Sequence, residues 1–362
     1  MTEPTTSPRY AAAVQARHDV VREALAIAPV VDGHNDLAWE MRDKRDYDPA
    51  GFDADLTGVM HTDLPRLRRG GVGGQFWSVY AATDLVGDEA VVYTLHQVDF
   101  VHRLVAAYPD DLALAWSGDD VRAAWATGRV ASLLGAEGGH SLGTDRPLSV
   151  LRSLRRLDVR YLTLTHNHNT RWADSATDEA EHGGLNDEGR AIVREMNRLG
   201  MLVDLSHVAA TTMHDALDVT TSSVIVSHSG CRAVTDHPRN VPDDVLRRIA
   251  DNGGVVMIAF VPPFVSEEYA RWSQKGKLLR GSQPVVTVDH VVAHVEHAAE
   301  TMGVEHVGLG SDYDGFASFP EGLEDVTGFA VLLDALADRG WSADDLAAVA
   351  GRNALRLLDS VP

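Results

Sequence analysis

Cys231 is the only cysteine among 362 residues. One thiol can neither close an internal disulfide nor build a cysteine metal site, so a reducing compartment is expected and any metal must be held by nitrogen and oxygen. Long apolar runs are also missing: nothing approaches the roughly 20 residues that cross a bilayer. The opening MTEPTTSPRY lacks the basic patch and apolar segment of a secretory signal. A soluble, cytoplasmic protein with no membrane partner is therefore expected. Positive charge is scarce, with 32 Lys and Arg against 53 Asp and Glu and a net charge of -21. Nucleic acid and anionic lipid would be repelled, which leaves a small molecule as the expected partner. Neither a GxGxxG fingerprint nor a GxxxxGK[ST] loop follows any strand-like run, and no Pro/Gly/Ser-rich linker, charge block or short repeat divides the chain. One domain spanning 1–362 is expected.

What is present is core-forming residues, 44% of the chain, and 17 histidines. Short β-branched runs recur at 30–37, 73–80, 130–138, 160–166, 201–207, 222–229, 254–260 and 306–315. Helical patterns lie between most of them. In EGRAIVREMNRLG, Ile192, Val193, Met196 and Leu199 form one stripe that Gly200 stops, and glycine also closes VDHVVAHVEHAAETMG at 288–303. Eight strand-like runs alternating with helices favour a single (β/α)8 TIM-type barrel over an open doubly wound sheet. The barrel is expected over 30–340, with a leading helix within 1–28 and trailing helices over 342–362.

The ends of these runs carry polar residues. Alternation along a strand places His34 and Asp36 on one face, with a spacing suited to chelation. Glu137, His166, His207, His228 and Asp312 close other runs, and in a barrel all seven would meet at the C-terminal mouth. Singly, each histidine is more often a hydrogen-bonded cap than a ligand. Together, three imidazoles, an aspartate and a glutamate exceed one open tetrahedral site and suit two divalent ions sharing a carboxylate. Such a pair would activate water and polarise a carbonyl, pointing to hydrolysis of an amide or ester. Asp32 and Asp204 are expected to serve loops and helix ends instead, His140, His168, His214, His237 and His294 to be structural or surface residues, and GGVGG (70–74) to pack backbone closely. In HVGLGSDYDG, alternation puts Gly308, Gly310 and Asp312 on one face with space beneath the carboxylate, while Asp314 falls in the loop that Gly315 begins.

The segments DGHNDL, AEGG, YLTLTHNHNTRWADS, VDLSH, SHSGCRAVTDHPRNVPDD and GLGSDYDG occur in that order from about residue 30 to 315. This set resembles the membrane dipeptidase (renal dipeptidase) family of zinc peptidases in the amidohydrolase superfamily, in a soluble bacterial form. The resemblance implies two Zn2+ per chain, one bound by His34 and Asp36, the other by His207 and His228, with Glu137 between them. It further implies that a metal-bridging hydroxide attacks the peptide bond of a dipeptide, that His166 polarises the carbonyl, that Arg239 receives the substrate carboxylate and that Asp312 handles protons. Tolerance of a C-terminal D-residue and a homodimer are implied as well. The alternative is a related barrel hydrolase acting on a lactone, cyclic amide or phosphoester, with a catalytically silent metal-binding scaffold as a rival from another class. Two departures stand out. NTRWAD replaces NTPWAD, placing Arg171 beside the mouth in favour of an acidic or differently shaped substrate, and AFVPPFV lacks the tyrosine associated with the mammalian pocket.

Overall fold

The computed structural model describes residues 13–85, 87–275 and 281–361. Among the described residues nine strands form, all paired in parallel: β1 (Val30–Asn35), β2 (Val72–Tyr80), β3 (Leu112–Leu114), β4 (Val130–Glu137), β5 (Val159–Thr163), β6 (Leu202–Asp204), β7 (Ile225–Ser229), β8 (Val255–Ile258) and β9 (Val307–Leu309). β1 pairs with both β2 and β9, β2 pairs with β4, and the order then runs through β5 to β9, so eight strands close into a barrel. The extra strand, β3, adds only Leu112 to Leu114 against the start of β4 and stands outside the ring.

Helices separate most consecutive strands, as the alternating pattern predicts. The helix Asp187–Leu199 starts where the Asn186 side chain accepts the amides of Glu188 and Gly189, and it ends at Gly200 with φ of 67°. Ile192, Val193 and Met196 are its buried stripe. The leading helix covers Asp19–Ile27, and the part of the expected element within residues 1–12 lies outside the described residues. Asp334 accepts the amides of Arg17 and His18 at 2.8 and 3.0 Å, which ties that helix to Gly328–Asp338.

Inside the barrel, Val31, Phe76, Leu133, Tyr161, Leu202, Ile225, Val255 and Met257 form one cluster with Leu357 and Leu358 of the trailing helix Asn353–Ser360. Each such burial contributes roughly 1.5–3 kcal/mol, so this packing fixes the strands on which the mouth is built. The buried guanidinium of Arg160 donates to the carbonyls of Leu358 and Val361, both at 3.1 Å, and holds the trailing segment in place. GGVGG packs as expected: a Cβ on Gly70 would lie 1.9 Å from the Val326 carbonyl oxygen. Among the described residues no helix is long and apolar enough to cross a membrane.

Candidate metal centre

Most strands are shorter than their apolar runs. β5 stops at Thr163 and β6 at Asp204, so His166 and His207 stand beyond the strand ends, and His207 adopts φ of 66°. β1 carries an extra residue against β2, with Asp32 opposite Gln75 and Asn35 opposite Trp77. Asp36 is already the residue before the helix Leu37–Arg45. Strict alternation therefore does not bring His34 and Asp36 together; the bulge and the helix start do, with Nε2 and Oδ2 3.3 Å apart. Asp312 likewise lies beyond β9, in a left-handed turn with φ of 67°, its amide donating to the His34 carbonyl at 3.2 Å. The glycines below it do not leave open space. Gly308 and Gly310 let Met257 and the Ser227 carbonyl approach.

Glu137, at the end of β4, is the centre of the cluster. Its Oε2 accepts from Ser78 Oγ at 3.0 Å and lies 3.4 Å from His34 Nε2. Its Oε1 lies 3.1 Å from His207 Nε2, 3.5 Å from His228 Nε2 and 3.6 Å from His166 Nε2. Three donor sets each converge within 4.8 Å: His34, Glu137 and His228; Glu137, His166 and His207; and His34, Asp36 and Asp312. The seven residues picked out at the run ends thus form one continuous cluster. His166 and Asp312 stand close enough to share in it, and Gly315 is its roof, because a Cβ there would fall 2.3 Å from Asp36 Oδ2 and 2.4 Å from Asp312 Oδ1.

Burial pushes His207 and His228 well below the ordinary imidazole value, and it brings His166 down to about 4, so all three are neutral. Burial alone would raise Glu137, but His34, His166 and His207 more than reverse it and hold the carboxyl well below the usual range. Asp312 goes the other way, lifted well above the usual range by burial and by the charge of Asp36.

Residues that the sequence did not single out orient the imidazoles. His34 Nδ1 meets the Tyr161 hydroxyl at 2.8 Å. His228 Nδ1 meets Ser227 Oγ at 2.9 Å, and Ser227 Oγ donates its proton to Asp204 at 2.7 Å. His228 must then carry its proton on Nδ1, which leaves Nε2 as a lone-pair donor toward the cluster. Asp204, expected to serve loops and helix ends, instead links β5 to β7 and sets the tautomer of His228 through Ser227. Asp32 does serve a loop, accepting the Ser311 amide at 2.8 Å.

A cavity of about 440 Å³ opens over the cluster, with Trp39, Tyr80, Asn167, His237, Phe264 and Phe316 among its walls. Arg239 lines it too. It is 3% exposed, its guanidinium sits 5.0 Å over the Phe264 ring, and its Nη atoms make only long contacts, 3.4 Å to Ser229 Oγ and 3.4 Å to the His228 carbonyl. Among the described residues no carboxylate forms an ion pair with it; Asp243 and Asp244 of VPDD pair with His297 and His214. Burial lowers its pKa to about 10, which still leaves it charged. His237, taken as structural or surface from sequence, is a cavity wall beside Arg239, stacked 4.9 Å from Phe264. Arg171 is not: Nε donates to Glu188 at 2.8 Å and the side chain is spent on a surface ion pair.

The donor chemistry fits divalent cations. His34 Nε2 is buried without a hydrogen-bond partner, while His207 and His228 point neutral Nε2 atoms at each other across 3.0 Å. Neutral imidazoles converging on the buried, ionised Glu137 make a nitrogen and oxygen donor set that a cation would complete.

A parallel barrel with such a cluster at its mouth has the form of a barrel metallohydrolase. The family model described as membrane dipeptidase, peptidase family M19, matches residues 18–362, and the chain belongs to that family of metallo-dipeptidases. It is 41% identical over 348 residues to dipeptidase verJ of Clonostachys rogersoniana, covering 93% of this chain and 85% of the relative. Dipeptidase tcpJ of Claviceps purpurea is 40% identical over 359 residues, 96% of this chain and 80% of the relative. Among solved structures, a metallopeptidase from Rhodobacter sphaeroides liganded with a phosphinate mimic of the dipeptide L-Ala-D-Ala superimposes with a TM-score of 0.81 at 26% identity, covering 92% of this chain and 99% of that one.

Proposed function

We propose that the chain is a binuclear zinc dipeptidase, with His34 and Asp36 holding one ion, His207 and His228 the other, and Glu137 spanning the two. The observation that carries this reading is the division of Glu137: Oε2 faces His34 while Oε1 faces His207 and His228. Two zinc ions bound there would lower the pKa of water toward ~7 and polarise the scissile carbonyl. The protein supplies the rest. Neutral His166 hydrogen-bonds the carbonyl oxygen as negative charge develops on it, and Tyr80, stacked 4.7 Å away, holds that ring in place. Asp312, which burial and Asp36 hold protonated in the absence of cations, would be returned to its ionised form by two dications beside it, and then takes a proton from the attacking water and gives it to the leaving amine. Hydrolysis of a panel of dipeptides by zinc-loaded enzyme tests the whole reading, and no turnover of any member would refute it. A homodimer in a cytoplasmic setting belongs to the same reading.

Arg239 is the group for the substrate carboxylate. Its buried guanidinium has no carboxylate of its own, and a two-pronged contact with a terminal carboxylate would satisfy it. Arg239→Met is expected to lower kcat/KM for dipeptides by about a hundredfold or more, the scale of losing one partner of a buried charged contact. C-terminally amidated analogues should lose much less, and equal losses on both would assign Arg239 a structural role.

Arg239 reaches the His228 carbonyl at 3.4 Å, and a carboxylate-binding group so close to the cluster would limit substrate length. Tripeptides should be cleaved poorly, because a third residue would overrun Arg239, and efficient tripeptide cleavage would contradict that geometry. The L-Ala-D-Ala mimic bound by the Rhodobacter sphaeroides enzyme supports acceptance of a D-residue in second position here. Matched L,L and L,D pairs measure it directly.

A further inference from the structure

A second cavity, of about 690 Å³, lies beside the metal centre and shares Trp39, Gly315 and Phe316 with the first. Its walls carry four carboxylates, Glu40, Asp314, Glu324 and Asp325, against two cations, Lys44 and Arg66. Both cations are already spent. Arg66 donates Nε to Asp63 at 2.6 Å, Nη1 to Asp325 at 3.0 Å and Nη2 to the Met60 carbonyl at 2.8 Å. Lys44 pairs with Glu40 and donates to the Val59 carbonyl.

Among the described residues neither Asp314 nor Glu324 has a lysine or arginine partner; Asp314 is met only by the His61 ring. Asp314 is 3% exposed; its Oδ1 accepts the His61 amide at 2.7 Å, while Oδ2 is buried and finds no hydrogen-bond partner among the described residues. The His61 ring also faces Oδ1, with Nδ1 3.3 Å from it, and accepts the Asp314 amide at 3.1 Å, so Oδ2 is the oxygen it leaves without a partner. Glu324 is exposed and takes the Gly322 amide at 2.9 Å. A buried carboxylate oxygen without a partner is costly, and together with Glu324 it gives the cavity a negative potential that favours a cation.

The position of this cavity relative to Arg239 says which part of a substrate would reach it. Arg239 touches the His228 and Ser229 side of the metal centre. Trp39 and Glu40 lie in the helix Leu37–Arg45, which Asp36 precedes, and both line the second cavity, whereas Arg239 and its neighbours His237 and Phe264 line only the first. Arg42 stacks 4.7 Å from Trp39 and Tyr80 lies 4.9 Å from it, so the indole is a braced wall shared by the two cavities. A dipeptide with its carboxylate at Arg239 would have its first residue as the end free to extend past the shared walls Trp39 and Phe316.

We propose that the second cavity is a subsite for a long cationic side chain, that of lysine or arginine, on the first residue of the substrate. This rests on the reading that Arg239 binds the terminal carboxylate of a dipeptide. The aliphatic stem would pass Trp39 and Phe316, and the charged head would meet the potential of Glu324 and Asp314.

Zinc-loaded enzyme assayed with Lys-Ala, norleucine-Ala, Arg-Ala, citrulline-Ala, Glu-Ala and Ala-Ala tests the proposal. The expected ratio of kcat/KM for Lys-Ala over norleucine-Ala is about fivefold, the upper size of a screened ion pair, and it should shrink as salt is raised. Arg-Ala over citrulline-Ala should behave alike. Asp314→Asn and, separately, the exposed Glu324→Gln should each lower both ratios, so that misfolding of the buried variant would leave the exposed one to decide. Turnover of Ala-Ala with both ratios near one, a preference for Glu-Ala, or ratios unchanged in both variants would overturn the subsite and leave the dipeptidase reading standing. No turnover of any member would overturn both.

Discussion

Asp312→Asn is expected to lower kcat by about two orders of magnitude or more while changing KM little and keeping metal content near normal. The amide keeps the size and hydrogen-bonding reach of the carboxylate but cannot carry a proton. Asp312 is held by backbone in a left-handed turn, its amide on the His34 carbonyl, so the substitution leaves the surrounding geometry in place. Its position beside His34 and Asp36, within 4.8 Å, gives it access both to the attacking water and to a nitrogen leaving from the cluster. The same closeness makes ligation the competing role. Elemental analysis alongside kinetics separates the two: a variant that loses an ion but retains its activity per remaining bound pair would make Asp312 a ligand rather than a proton carrier.

Glu137→Ala should remove both ions together and reduce activity to below about a thousandth of wild type. Its two oxygens are divided, Oε2 toward His34 and Oε1 toward His207 and His228, so its loss removes a carboxylate from both sides of the centre. The variant also leaves Ser78 Oγ and His207 without a carboxylate they now contact at 3.0 and 3.1 Å. Wild-type protein should hold two divalent ions per chain by elemental analysis. One ion in fully loaded wild type, or an unchanged count in the variant, would refute the binuclear centre.

The barrel was legible in the sequence because strands buried on both faces leave continuous β-branched runs, and helices such as Asp187–Leu199 and Val288–Met302 between them stop at glycine. Strand β3 was not, since Leu112 to Leu114 offer three residues with no alternation to read. The run-end residues that form the cluster could be picked out by type, yet the reason they meet could not. A bulge in β1 and left-handed turns at His207 and Asp312 do the positioning, and a period-two pattern contains neither. Asp204 was set aside because its link to His228 passes through Ser227 on the next strand, a matter of cross-strand register. His237 was missed for a related reason: it reaches the cavity only through the loop that also carries Arg239. Arg171, read as a mouth residue, found its partner in Glu188 at the start of a helix seventeen positions later.

The adjacency of β1 and β9 also imposes an order on biosynthesis. His34 and Asp36 leave the ribosome early, but their neighbour Asp312 is made after most of the chain, and its amide reaches the His34 carbonyl only where the first and last strands meet. His228 and Glu137 are likewise spread along the translated sequence. A nascent chain can therefore present fragments of the centre but never the whole of it, and complete metal loading has to wait until the barrel has closed.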